Sequence, residues 1–266
     1  RGRYPRRVSS LFIGGGTPSI LDAGLIERIM DDLTDVFSFD EDAEISIEAN
    51  PGTVTPEKLR AYKKAGIGRI SLGLQSAQDT ELKELGRIHT YRDFLISYDQ
   101  ARRAGYDNIN VDLMSGIPGQ SLESWQQTLL RVMELGPEHI SAYSLIVEEG
   151  TPFAQRDLDL PEEDEEREMY EITAQILEEK GYIQYEISNY ALPGTACAHN
   201  IGYWTRDDYL GLGLGAASLV DERRWNNTDS IETYLAHPED PGRLHVGVAD
   251  LPVREQMEEM MILGLR

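Results

Sequence analysis

The chain has 266 residues, 40% of them hydrophobic, which is enough for one large domain or one and a half ordinary ones with a full core. A formal net charge of −22 argues against a basic nucleic-acid-binding patch, and no apolar run approaches the roughly 20 residues of a membrane span. A single cysteine, Cys197, excludes a disulfide framework and fits a cytoplasmic protein.

Strand-like and helix-like segments then alternate along the chain. "VSSLFIGG" reads as a buried strand that runs into Gly14-Gly15-Gly16-Thr17. "AGLIERIMDDLTDVF" places Leu25, Ile26, Ile29, Met30, Leu33, Val36 and Phe37 at helical spacing. "AEISIEANP" is a strand stopped by Asn50-Pro51-Gly52. "TPEKLRAYKKAG" is a helix with Thr55 as cap, Pro56 in the first turn and Gly66 at its end. "IGRISLGLQ" is the next strand, and helices are predicted over Asp79–Leu85 and Tyr91–Ala104, the second stopped by Gly105. "DNINVDLMSGIPG" is a strand and turn. "SLESWQQTLLRVMELGP" is a helix capped by Ser121, with Leu122, Trp125, Leu129, Val132 and Met133 on its apolar face. "HISAYSLIV" is a fifth strand.

Repeated strand–helix units with crossover helices predict a parallel sheet. The expected fold class is α/β, a partial (β/α) barrel, with a doubly wound sheet as the rival. After Pro161 the pattern changes. An acid-rich helix over Glu162–Lys180 reads as a solvated helix start, favoured by the N-terminal dipole. It precedes "YIQYEISNYALPG" and a glycine-rich stretch, "YLGLGLGAASLV". The expected division is a barrel over residues 1–185 and a smaller, less regular region over 186–266.

In a parallel barrel, ligands bind at the C-terminal ends of the strands. Those ends carry Gly14 to Thr17, Glu48, Gln75 and Asp112 in succession, and the fifth ends near Ile146. Buried parallel strands are normally almost wholly apolar, so polar groups at successive ends predict a shared polar pocket. The competing explanation is that each one caps a helix or pairs with an arginine. The glycine run lacks both the G-x-G-x-x-G spacing of a dinucleotide fold and the Lys-Ser/Thr ending of a phosphate loop. Glycines there let backbone N–H and C=O groups approach a ligand closely.

"GGGTPS", "IEANP", "SLGLQS", "LGRIH", "VDLMSGIPGQ" and "YSLIVEEGTP" together resemble the ordered motifs of the radical S-adenosylmethionine proteins. Within them the chain is similar to the oxygen-independent coproporphyrinogen III oxidase group, which includes a haem-chaperone branch. The resemblance spans nearly the whole chain and implies a partial barrel of radical SAM type. It implies that Gly15, Gly16 and Thr17 meet the methionyl end of S-adenosyl-L-methionine and that Glu48 holds its polar groups. Gln75, Arg87 and Asp112 would line the same site, with Ile146 and Ala217 touching it through backbone or apolar surface. The chemistry agrees in kind: carboxylates offset a sulfonium and an ammonium, and arginine can hold a carboxylate bidentately.

The family binds a 4Fe-4S cluster through a C-x₃-C-x₂-C motif, and an iron–sulfur site needs several thiolates. Cys197 alone cannot supply them. The reading is a fragment without its N-terminal cysteine motif, truncated also at its C-terminus, so no metal ligand is assigned for the cluster. "CAHNIGYW" resembles the H-N-x-x-Y-W signature of the chaperone branch. It makes His199 a haem-iron ligand and sets Tyr203 and Trp204 against the porphyrin. A plain His-Asn turn with core aromatics is the alternative. Three readings remain: a haem chaperone serving haem-accepting proteins, an oxidoreductase decarboxylating the propionate side chains of coproporphyrinogen III in porphyrin biosynthesis, or an ordinary barrel whose strand-end polar residues bind some other small molecule. "HNIGYW" favours the first. No catalytic residue is assigned.

Overall fold

The computed structural model describes residues 6–151 and 153–266, so Pro152 of the "EEGTP" motif lies outside the described residues. The chain divides into two compact units, Arg1–Cys197 and Ala198–Arg266. The first is built on a curled seven-stranded sheet, a partial barrel. Its strands are β1 (Arg7–Ile13), β2 (Ser38–Ala49), β3 (Arg69–Gln75), β4 (Ile109–Ser115), β5 (His139–Ser144), β6 (Ile183–Gln184) and β7 (Asn189–Ala191), in the order β1-β2-β3-β4-β5-β7-β6. Neighbours β1 to β5 are all parallel, as crossover helices require. Strand β7 runs antiparallel to β5 and to β6, which carries the first sheet past residue 185.

The crossovers are α1 (Ala23–Val36), α2 (Pro56–Lys64), α3 (Asp79–Glu84), α4 (Tyr91–Arg103), α5 (Leu122–Met133) and α6 (Glu163–Glu179). Their starts follow from local chemistry. Thr55 and Ser121 accept from Lys58 N and Ser124 N, and Thr90 with Asp93 forms a full capping box. Helix α6 opens with four acids, Glu163 to Glu166, the first three of them exposed, where the dipole favours them.

The hydrophobic core lies between the sheet and these helices. Ile70, Leu72 and Leu74 of β3, Val111 and Leu113 of β4, and Ile140 of β5 meet Leu59, Phe94, Trp125 and Leu129 of the helices, all fully buried. Trp125 also donates its indole N–H to Met169 O (3.2 Å) and Thr173 Oγ1 (2.9 Å), tying α5 to α6. Three elements differ from their expected form. Strand β2 starts at Ser38 rather than Ala43, and β5 ends at Ser144, before Val147. In α1 only Ile26 and Met30 are buried, while Leu25, Ile29 and Val36 are exposed, because one narrow i, i+4 stripe meets the sheet.

The second unit holds α7 (Ala198–Trp204), β8 (Ala217–Val220), β9 (Arg223–Asn227), α8 (Ile231–Ala236), β10 (His245–Asp250) and α9 (Val253–Leu263). Its strands form an antiparallel sheet in the order β10-β9-β8. The glycine-rich stretch packs against this sheet. A Cβ at Gly211 would sit 2.3 Å from Ala217 O, so only glycine fits that approach. Among the described residues, no helix is long and apolar enough to cross a membrane.

Candidate functional site

Period-two alternation puts successive side chains of a strand on opposite faces. With Ile70, Leu72 and Leu74 turned to the helices, Ser71, Gly73 and Gln75 face the other way, into a cavity of about 420 Å³. Glu48 and Asn50 at the end of β2, Asp112 and Met114 of β4, and Tyr143 of β5 line it too, with Gly16 and Thr17 after β1 and Arg87 after α3. The volume is that of a small-molecule site.

Each wall is tied to its neighbour. Gly15 N donates to Glu48 Oε2 (3.2 Å), and Asn50 Nδ2 donates to Thr17 Oγ1 (2.9 Å). The loop thus leans on β2 rather than standing free, and the positive φ of Gly15 and Gly16 permits its turn. Gly73 keeps the cavity open: a Cβ there would lie 3.1 Å from both Asn50 Oδ1 and Gln75 Nε2. Asp112 accepts from Ser71 Oγ at 2.9 Å and from Asn110 Nδ2 at 2.7 Å.

The pocket is electrostatically poised. Burial raises the Glu48 carboxyl above its ordinary range, and the nearby Asp112 charge adds to this against the Gly15 bond. Burial likewise raises Asp112, opposed by its bonds from Ser71 and Asn110 and by the Arg69 charge. Tyr143 is pushed up to about 12, chiefly by burial and then by Asp112. Burial pulls Arg87 down while attraction to Asp112 holds it up. Two costly carboxylates beside one arginine suit a ligand carrying positive charge and one carboxylate.

Gln75 sits at φ 71°, a left-handed conformation that costs a non-glycine residue roughly 1–3 kcal/mol. Its neighbours pay for it. Ser76 Oγ donates to buried Glu81 Oε2 (2.6 Å), which also accepts from Gln120 Nε2 (2.9 Å), while Ser124 Oγ donates to Glu81 Oε1. Ala77 N donates to Thr128 Oγ1 at 3.2 Å. Glu81→Ala removes the acceptor of Ser76 Oγ, Gln120 Nε2 and Ser124 Oγ. It is expected to cost about 2–3 kcal/mol in denaturant unfolding and to weaken ligand binding by freeing Gln75. Unchanged stability and binding would show that Glu81 does not set this strand end.

The structure therefore brings Gly16, Thr17, Glu48, Gln75, Arg87 and Asp112 to one cavity, with Gly15 bonded to its wall. Ile146 lies past the end of β5, 75% exposed, and is not among the lining residues. Ala217, His199, Tyr203 and Trp204 belong to the second unit. There His199 and Tyr203, one turn apart on α7, meet edge to face at 4.8 Å, and Tyr203 meets Tyr209 at 4.7 Å. Trp204 is half-buried, and among the described residues its indole N–H has no hydrogen-bond partner. Asn50, Ser71, Gly73, Met114 and Tyr143 escape a reading of strand ends alone, although the alternation S-I-E-A-N, R-I-S-L-G-L-Q and N-V-D-L-M marks most of them.

A family model described as the radical SAM superfamily matches residues 2–132. The haem chaperone HemW of Bacillus subtilis (strain 168) is 38% identical over 264 residues, covering 97% of this chain and 70% of its own length. The haem chaperone HemW of Escherichia coli (strain K12) is 43% identical over 215 residues, covering 81% of this chain and 57% of its own. Among solved structures, coproporphyrinogen III oxidase from Escherichia coli, described as a radical SAM enzyme, superposes with a TM-score of 0.86 at 28% identity, over 98% of this chain and 63% of that one. The chain thus spans between 57% and 70% of the length of these relatives.

Proposed function

The chain belongs to the haem chaperone HemW family of the radical SAM superfamily, and from that footing we propose that it is a haem chaperone that binds S-adenosylmethionine in its first unit and haem in its second. One observation carries the cofactor reading: a polar cavity at the strand ends, walled by two carboxylates, one arginine and a glycine loop. Glu48 and Asp112 offset the ligand's sulfonium and ammonium charges. Arg87 takes its carboxylate, and the Gly16–Thr17 backbone receives the methionyl end. Radical chemistry needs S-adenosylmethionine together with a 4Fe-4S cluster. The residues present do not fit that cluster. The one cysteine, Cys197, is buried with Sγ 3.3 Å from Glu44 Oε1, and among the described residues no group of histidine, cysteine, aspartate or glutamate could hold a metal ion. No step through the cluster is assigned to this chain.

His199 supplies the imidazole for haem iron, and Tyr203 and Trp204 supply aromatic surface for the macrocycle. The chaperone would then pass haem to accepting proteins. Haem added to the full-length protein is expected to give a Soret band, and His199→Ala is expected to weaken uptake about tenfold, the loss of one iron–ligand contact. A variant with the wild-type spectrum and affinity would remove His199 as ligand. Conversion of coproporphyrinogen III to its decarboxylated product would favour the oxidase chemistry of the structural neighbour instead.

A further inference from the structure

Beneath the cavity, the inward faces of β3, β4, β5 and β7 carry a continuous run of buried polar side chains. Asn110, two residues before Asp112, is its hub. Asn110 Nδ2 donates to Asp112 Oδ1 (2.7 Å) and to Ser71 Oγ (2.7 Å), and Ser71 Oγ donates in turn to Asp112 Oδ2 (2.9 Å). Because a carboxylate only accepts, the Asn110 amide must turn its NH₂ toward Asp112 and its oxygen away. That oxygen lies 2.6 Å from His139 Nδ1, so Nδ1 carries the imidazole proton and donates it. Nε2 of His139 is then bare and accepts from Tyr185 OH at 2.8 Å. Every bond in the run from Tyr185 to Asp112 points the same way, toward the carboxylate.

The other end of the run is fixed by the same logic. Asn189 Nδ2 donates to Glu186 Oε1 (2.6 Å), which turns Asn189 Oδ1 to receive Ser141 Oγ at 2.7 Å. Ser141 has one proton and its shorter contact is this one, Asn110 Oδ1 being farther, at 3.2 Å, with Asp112 also within its reach. His139 is therefore the strong donor left for Asn110.

We propose that Asn110 and His139 are positioning residues of the cavity: fed by the Tyr185 hydroxyl, they hold Asp112 as an oriented acceptor whose charge faces the ligand. The proposal rests on the reading that this cavity takes S-adenosylmethionine. Neither residue lines the cavity, and both are buried. The charged and titratable groups around Asp112 are Glu48 on β2, Arg69 on β3, Arg87 after α3, His139 and Tyr143 on β5, and Glu186 before β7. Burial keeps His139 well below its usual range, seconded by the Arg69 charge, so the imidazole stays neutral and the relay keeps its direction near neutral pH. Buried hydrogen bonds of this kind polarise one another, which is how a residue two bonds away can act on a carboxylate.

Two measurements test this. In the full-length protein, ¹⁵N NMR of His139 is expected to show a neutral ring protonated at Nδ1 from pH 6 to 8; an Nε2–H tautomer or a protonated ring in that range would overturn the relay. Calorimetry with S-adenosylmethionine is then run against pH on wild type, His139→Leu and His139→Asn. The leucine variant, similar in volume but without a donor, is expected to bind about tenfold more weakly and to lose affinity at a higher pH than wild type. Asparagine, whose amide can reach where Nδ1 was, is expected to restore the pH profile. A folded His139→Leu with wild-type affinity and profile would overturn the proposal alone. A wild type that binds no S-adenosylmethionine would instead overturn the cofactor reading, and the NMR result would still decide the relay.

Discussion

Trp125→Ala is expected to lower the unfolding free energy by about 3–5 kcal/mol, the usual cost of truncating a fully buried tryptophan. Trp125 is completely buried in the layer between α5, α6 and the sheet, so its loss leaves a cavity that neighbouring elements cannot readily close. It also removes the donor that serves Met169 O and Thr173 Oγ1. For a chain of this size the melting temperature should fall by roughly 10 °C. Trp125→Phe keeps most of the volume and loses the indole N–H, so it should cost about 1 kcal/mol. Equal losses in the two variants would show that the hydrogen bonds, rather than the packing, hold α5 to α6.

Glu48→Gln is expected to move stability and binding in opposite directions. The folded-state pKa of Glu48 is raised, so the folded chain holds this proton more tightly than the unfolded chain does. The ionised carboxylate therefore costs stability at neutral pH, and that cost is relieved as pH falls through the raised value. Glutamine removes the charge and can still accept from Gly15 N, so the melting temperature of the ligand-free protein should rise. Affinity for S-adenosylmethionine should fall about tenfold with the loss of one partly buried charge interaction, and should no longer show the Glu48 contribution to its acid limb. A variant that melts lower and binds as well as wild type would mean that Glu48 is a structural acceptor for the loop.

The order of elements and the polar strand ends could be read from sequence because both are local. Caps at Thr55 and Ser121 and the stops at Gly66 and Gly105 act within one turn of the chain, whereas the Thr90–Asp93 capping box went unread. Glu48, Gln75 and Asp112 stand out because they interrupt apolar strands. The rest of the cavity was harder to see. Ser71 and Gly73 line it because one face of β3 meets helices and the other the barrel interior, so every second residue turns inward. The expectation of nearly all-apolar parallel strands hides that pattern, which belongs to a barrel with a polar interior. The fifth strand was expected to end near Ile146, whereas it stops at Ser144. His139 and Asn110 carry no motif, and their role emerges only from the direction of bonds across three strands. The buried stripe of α1 is likewise set by how much of the sheet the helix covers, which its periodicity does not encode.

The most direct test of the central claim is a calorimetric titration of S-adenosylmethionine into the full-length protein and its Glu48→Ala/Asp112→Ala variant. In the proposed reading the two carboxylates are the counter-charges to the cofactor; both line the cavity, and neither belongs to the hydrophobic core. The account predicts that the wild type binds and that the double variant, folded by circular dichroism, loses binding by about a hundredfold, one factor of ten for each charge. Wild-type affinity in the double variant would contradict it and place the cofactor elsewhere.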